Sequence, residues 1–225
     1  MFKRYLTFIF VLLLSTGMLT AKEKAFPLKK FKQSDIGNPA ISGSSVILDK
    51  GIQITAGGAD VWGIKDQFHF SWVEKTGDFD LIARIESLSA PHMYTKAGLM
   101  AREELTENSR HIFFQVFPDN KPRNKNNGGF EFQYRIAKAG EMKAIYPASA
   151  VGTPEFPVNY PNTWIRLKRS GNEFTGYCSK DGKTWKVYTT FTFALSEKVY
   201  LGLAVTSHNE KESAKALFRE ISLGK

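Results

Sequence analysis

The chain has a single cysteine, Cys178, among its 225 residues. A secreted domain stapled by disulfides carries paired cysteines, so this fold must rest on its apolar core. Cys178 falls in a strand-like Phe174–Ser179 run, which reads as a buried, inert thiol rather than a nucleophile. Helical periodicity is also missing: from Ile36 onward no convincing amphipathic helix can be written. No stretch after the first 21 residues approaches the roughly 18 continuous apolar residues that a membrane span needs. Serine-hydrolase elbows and phosphate-binding loops are absent. The four histidines, His69, His92, His111 and His208, lack the close spacing of a zinc site. Acidic residues are scattered, and no cofactor is expected beyond a structural calcium that Asp60 or Asp66 could hold with main-chain carbonyls.

What is present begins with an export signal. Lys3 and Arg4 precede an apolar run from Tyr5 to Leu14, and Leu19-Thr20-Ala21 ends a stretch of small residues. Residues 1–21 therefore read as a signal peptide cleaved after Ala21. With no cysteine at the cleavage point, a lipoprotein anchor is not expected, and the mature protein is assigned to the periplasm or the exterior. Residues 22–35 form a polar, basic lead-in, and residues 36–225 a single β domain expected to be monomeric. Cleavage leaves 29 basic against 22 acidic residues, a formal charge of +7. That surplus, with Lys121, Arg123 and Lys125 clustered in one loop, suits an acidic polysaccharide or an anionic surface. The export signal makes nucleic acid a poor partner.

Twelve short strand-like segments follow: Ser45–Leu48, Gly51–Thr55, Gln67–Glu74, Phe79–Leu88, Lys96–Glu103, His111–Phe117, Phe130–Ile136, Trp164–Ser170, Glu173–Ser179, Trp185–Phe193, Tyr200–Ser207 and Ala214–Leu223. Gly- and Asp-Gly-containing turns at Ser170-Gly171-Asn172 and Ser179–Lys183 join neighbouring strands. The pattern predicts an all-β sandwich of two antiparallel sheets. Along Lys96–Arg102, Ala97, Leu99 and Ala101 alternate with Lys96, Gly98, Met100 and Arg102, separating an apolar from a cationic face. The same split sets Phe68, Phe70 and Trp72 against His69 and Ser71, and Leu201, Leu203 and Val205 against Gly202, Ala204 and Thr206. Trp72, Trp164 and Trp185 fall in strand patterns and are expected in the core.

Six ordered blocks carry a resemblance: Gly57-Gly58-Ala59-Asp60-Val61-Trp62-Gly63, Asp66-Gln67-Phe68-His69-Phe70, Lys96 to Arg102, Phe174-Thr175-Gly176-Tyr177, Asp181-Gly182-Lys183-Thr184-Trp185 and Gly202 to Asn209. Together, from about Asp35 to Leu223, they resemble a bacterial family of unknown function with a concanavalin A-like jelly roll, related to the regulation-of-enolase type domain. The resemblance implies a lectin/glucanase-type sandwich with one concave sheet, often attached to secreted carbohydrate-active proteins.

On that concave sheet the polar face would carry His69, Lys96, Arg102, Gln115, Gln133, Arg135 and His208 around a low floor of Gly98, Gly202 and Ala204. Trp62, in the Gly57–Gly63 turn, could stack on a sugar face, since the C–H-rich side of a pyranose complements an aromatic ring. Arg supplies a planar fork for paired oxygens, and His both donates and accepts. Tyr94 and His92 could line the rim. The expected function is glycan binding without catalysis. Two alternatives remain open: a polysaccharide lyase or glycosidase using the same groove, or a protein-interaction or adhesion domain. Against a glycosidase, the Glu-x-Asp-x-x-Glu string of glucanases is absent, Glu103 and Glu104 are adjacent and diverge, and Glu131 has no acidic partner two residues away.

Overall fold

The computed structural model describes residues 26–123, 125, 128–146 and 154–224; residues 1–21, read above as an export signal, lie outside them. Its strands, in chain order, are β1 (Lys32–Ile36), β2 (Ser44–Leu48), β3 (Gly51–Ala56), β4 (Val61–Trp62), β5 (Lys65–Asp66), β6 (Phe68–Thr76), β7 (Phe79–Leu88) and β8 (Lys96–Arg102). There follow β9 (His111–Val116), β10 (Phe130–Arg135), β11 (Lys143–Ile145), β12 (Thr163–Ser170), β13 (Glu173–Ser179), β14 (Lys186–Thr192), β15 (Lys198–Thr206) and β16 (Ala214–Gly224). They form a front sheet of order β1-β6-β15-β8-β9-β10-β11 and a back sheet of order β14-β13-β12-β7-β16-β3-β2, all antiparallel, with β4 and β5 as a separate hairpin. The fold is the expected two-sheet, jelly-roll type sandwich. All twelve predicted strands are present. Four short ones went unread, and β1 starts the sheet at Lys32, inside the segment expected to be a lead-in.

Period-2 alternation builds the core. Ala97, Leu99 and Ala101 of β8, Ile112, Phe114 and Val116 of β9, and Leu201, Leu203 and Val205 of β15 point inward from the front sheet. Phe79, Leu81, Ala83 and Ile85 of β7, with Ile165 and Leu167 of β12, meet them from the back sheet. Each fully buried side chain of this size contributes about 1.5–3 kcal/mol on removal from water. Cys178 joins this core, as expected, and burial raises its thiol pKa. Trp164 and Trp185 do not: they are half-buried, edge to face at 6.5 Å, and Arg166 stacks over Trp185.

The opposite, outer face of the front sheet is organised in rows by the strand register. Gly98, Gln115 and Glu131 lie abreast; next come Gly202, Met100, Phe113 and Gln133; then Tyr200, Arg102, His111 and Arg135. Two glycines let the strands run close there. A Cβ on Gly98 would lie 2.2 Å from the Phe114 carbonyl oxygen, and one on Gly202 1.9 Å from that of Ser71.

Strand β6 reverses the expected facing. Its Phe68, Phe70 and Trp72 share the outer face with Met100, Phe113 and Ala204 in a second apolar cluster, while His69 and Ser71 pair beside inward-facing Val205 and Leu203. Residues Phe68 to Val73 are buried on both faces, so alternation of polarity could not tell inside from outside.

The second cluster is buried because a roof covers it, and the roof is held by charge. Asp66 of β5 receives a two-pronged contact from the Arg135 guanidinium at 2.7 and 2.8 Å, and Arg102 approaches at 3.5 Å. All three side chains are fully buried. Remaining donors go to roof carbonyls: Arg135 to Gly63 and Gly140, Arg102 to Glu104 and Thr106. Burial lowers the Arg102 pKa to about 10 despite Asp66. His111 stands 3.7 Å from Asp66; burial and the two guanidinium groups outweigh the carboxylate and bring its pKa down to about 4.

Removing Asp66 leaves two buried cations without their counter-charge. Asp66→Ala should cost about 3–5 kcal/mol in urea-induced unfolding. Because folded His111 titrates below its ordinary value of about 6.5, its share of stability is complete above that pH. It should be lost as the pH falls toward about 4, and His111→Gln should flatten that slope.

Candidate functional site

Beside the roof, a depression of about 200 Å³ opens over one end of the outer face. The roof hairpin supplies Asp60 and Trp62, and the β7–β8 connection supplies Tyr94. Lys96 stands at the start of β8, Phe117 and Arg123 in the β9–β10 connection, and Glu131 and Gln133 on β10. Tyr146 follows β11 and His208 follows β15.

Asp60 is the hub of the rim. Its Oδ1 accepts from Lys96 Nζ at 2.6 Å and from the Val61 amide at 2.7 Å, and its Oδ2 meets His208 Nε2 at 3.1 Å. Burial alone would raise the Asp60 pKa, but Lys96 and His208 prevail and hold it at about 2. Lys96 also donates to the Val61 carbonyl and lies 5.5 Å from the Trp62 ring centre, fixing the indole as a wall. Trp62 itself is 40% exposed.

His208 adopts a left-handed backbone conformation (φ 54°), and its ring stacks on His92 at 4.4 Å and 6°. His92 Nδ1 accepts the Tyr94 amide at 3.1 Å, which places its proton on Nε2. Burial, reinforced by His208, lowers the His92 pKa. Tyr94 completes an aromatic corner with His208 and Phe117.

Arg123 is fully engaged in building the wall. It donates to the carbonyls of Met93 and Lys121 at 2.6 Å each, pairs with Asp119, and stacks 4.6 Å over Phe117. The floor is an amide–carboxylate network: Gln115 Nε2 donates to Glu131 Oε1 at 3.3 Å, and Gln133 Nε2 donates to the same oxygen. Tyr146 beside it has its pKa raised to about 12, by burial first and then by Glu131 and Tyr94, so its hydroxyl stays protonated.

The predicted site residues therefore divide. Trp62, Lys96, Gln133 and His208 converge on the depression, and Gln115 lies beneath it. Arg102 and Arg135 do not reach it, being consumed by Asp66. His69 is on the other face altogether, 2% exposed, with Nδ1 2.7 Å from Asp35 Oδ1 and Nε2 near Gln33 and Ser45. Gly98, Gly202 and Ala204 lie under the roofed face rather than in an open floor. Asp60, Phe117 and Tyr146 were not singled out as binding residues, whereas Arg123 was read as part of a basic loop and Glu131 as sharing a strand face with Gln133. For the first three, only the Asp60-Val61-Trp62 turn and the placement of Tyr94 just before Lys96 offered a signal. Among the described residues no group of three or more His, Cys, Asp or Glu could hold a metal ion.

Compared by sequence, the chain matches no family model and no curated protein. Its fold is nonetheless shared with solved structures. A functionally unknown protein from Saccharomyces cerevisiae aligns at TM-score 0.64 and 16% identity, over 88% of this chain and 98% of that one. The carbohydrate-binding module CBM66 from Bacillus subtilis aligns at TM-score 0.53 and 13% identity, over 86% and 95%. The GH43 BlXynB protein from Bacillus licheniformis aligns at TM-score 0.54 and 11% identity, over 77% of this chain but 32% of that larger one. At these identities the likeness establishes the jelly-roll sandwich architecture alone. No described helix is long and apolar enough to cross a membrane.

The Asp60 hub carries a pH signature. Its folded pKa lies below the ordinary 3.8, so its stabilisation is present above about pH 4 and lost as the pH falls to about 2. Asp60→Asn should cost about 2 kcal/mol at neutral pH. The gap to the unaltered protein should close near pH 2 in thermal-unfolding scans.

Proposed function

We propose that this protein binds carbohydrate, without cleaving it, in the depression walled by Trp62. The observation that carries this reading is the half-exposed indole, held in place by Lys96 over a depression rimmed with hydrogen-bonding groups. An aromatic wall beside a polar floor is the arrangement that holds a pyranose, one face stacked and its hydroxyls bonded at the edge. The fold shared with a carbohydrate-binding module is consistent with it.

The carboxylates support the non-catalytic reading. A glycosidase needs one carboxyl group that gives up a proton near neutrality and a second that acts as base or nucleophile. Asp60 is ionised down to about pH 2 and locked to Lys96 and His208, which removes it from the acid role. Glu131 Oε1 is occupied by two amides. The finer assignments belong to the same reading: a bacterial protein of the secreted family with a regulation-of-enolase type domain, exported by residues 1–21, monomeric and without a cofactor.

A glycan array followed by calorimetry on the retained oligosaccharide tests the proposal. Trp62→Ala should weaken binding at least about tenfold while leaving the unfolding temperature nearly unchanged, because the indole is at the surface. Reducing-end assays should detect no product. Retention that survives Trp62→Ala, or release of new reducing ends, overturns the proposal.

A further inference from the structure

The floor of the depression points to the kind of sugar that fits it, an inference that rests on the glycan-binding reading. Both amide nitrogens of the floor are turned toward one oxygen of Glu131, and a carboxylate between two amides leaves no choice in how they are oriented. The amide oxygens are consequently left over. Gln115 Oε1 and Gln133 Oε1 are buried, and no described residue donates to either; the two side chains are 0% and 1% exposed. Buried acceptors of this kind are costly to leave unmade, and a ligand that donates to them recovers that cost.

The positive groups around the depression, by contrast, are already engaged. Lys96 is paired with Asp60 at 2.6 Å, and Arg123 is tied to Asp119 and three backbone carbonyls. Among the described residues that line the depression, none offers an uncommitted guanidinium fork for a carboxylate.

We infer that the depression selects sugars that present hydrogen-bond donors to Gln133, namely uncharged polyhydroxyl or amino sugars, and rejects uronates. The basic surface of the chain does not make it a receptor for acidic polysaccharide. A carboxylate in place of a donor would set acceptor against acceptor at the Gln133 amide oxygen, and among the described residues lining the depression it would find no uncommitted guanidinium.

Matched pairs decide this: galacto-oligosaccharide against oligogalacturonide, and xylo-oligosaccharide with and without glucuronate branches, titrated calorimetrically at low and moderate salt. The neutral member of a pair should bind at least about tenfold more tightly, and low salt should not reverse the order. Gln133→Met, which keeps the length but removes the acceptor, should weaken the neutral ligand roughly tenfold with an unchanged or raised unfolding temperature. Gln133→Leu serves as the second variant should the first not fold. A tighter acidic member, or the Gln133 variants binding as well as the unaltered protein while Trp62→Ala does not, overturns the inference and leaves glycan binding standing. Retention of no glycan of any charge overturns both.

Discussion

The grip of Arg102 and Arg135 on Asp66 is the interaction on which the rest of the architecture depends. A sheet that packs one face into a sandwich would ordinarily expose the other, and here that other face carries Phe68, Phe70, Met100 and Phe113. Covering it requires the short β4–β5 hairpin and two neighbouring loops to lie down upon it. Backbone contacts knit that cover together, the Asp66 amide to the Glu107 carbonyl and the Met142 amide to the Gly63 carbonyl. Charge pins it: a buried carboxylate is tolerable only because two guanidinium groups share it and spend their other donors on carbonyls of the cover. Six residues before Asp66, at the other end of the same hairpin segment, stands Asp60, with Trp62 two residues on. The clasp that closes one half of the face thus sets the wall of the other half.

This arrangement changes what the chain's positive charge means. A count of basic residues suggests a surface for anions, yet the arginines of the outer face are buried beneath the roof and consumed by structure. Arg169 follows the same habit in the back sheet, donating to the carbonyls of Gly171, Leu195 and Ser196. A rigid planar donor that never loses its charge is well suited to gathering carbonyls from several loops at once. What remains at the surface is largely lysine, solvated and dispersed.

The strands were legible because most have one wet or loosely packed face, and alternation reports that difference faithfully: Phe79–Leu88 and Glu173–Ser179 were read with the bounds they have. Alternation gave the right facing on β8, though both its faces are buried, because its charged residues lie on the outer face. It failed on β6, whose aromatic residues lie there instead. Along β6, aromatic residues looked like the core side and His69 like the solvent side, whereas the aromatics pack under the roof and the imidazole sits between edge strands beside Asp35. Arg102 and Arg135 were placed on the correct face but assigned the wrong partner, since nothing local announces that Asp66 will fold back over them. The β9–β10 connection and Tyr146 enter the cleft through long-range contacts, which no local pattern encodes. Strand register and turn position suffice to bring Trp62, Lys96, Gln133 and His208 to one depression.

The two crowded glycines of the outer face carry a consequence for how such a molecule can diversify. With adjacent backbones within about two ångströms of where a side chain would begin, the centre of the sheet is closed to substitution. Novel preferences must therefore arise in the surrounding connections, around Trp62 and Tyr94, where replacements cost the scaffold less. Descendants of this chain are free to exchange one ligand for another while inheriting the same immovable bed.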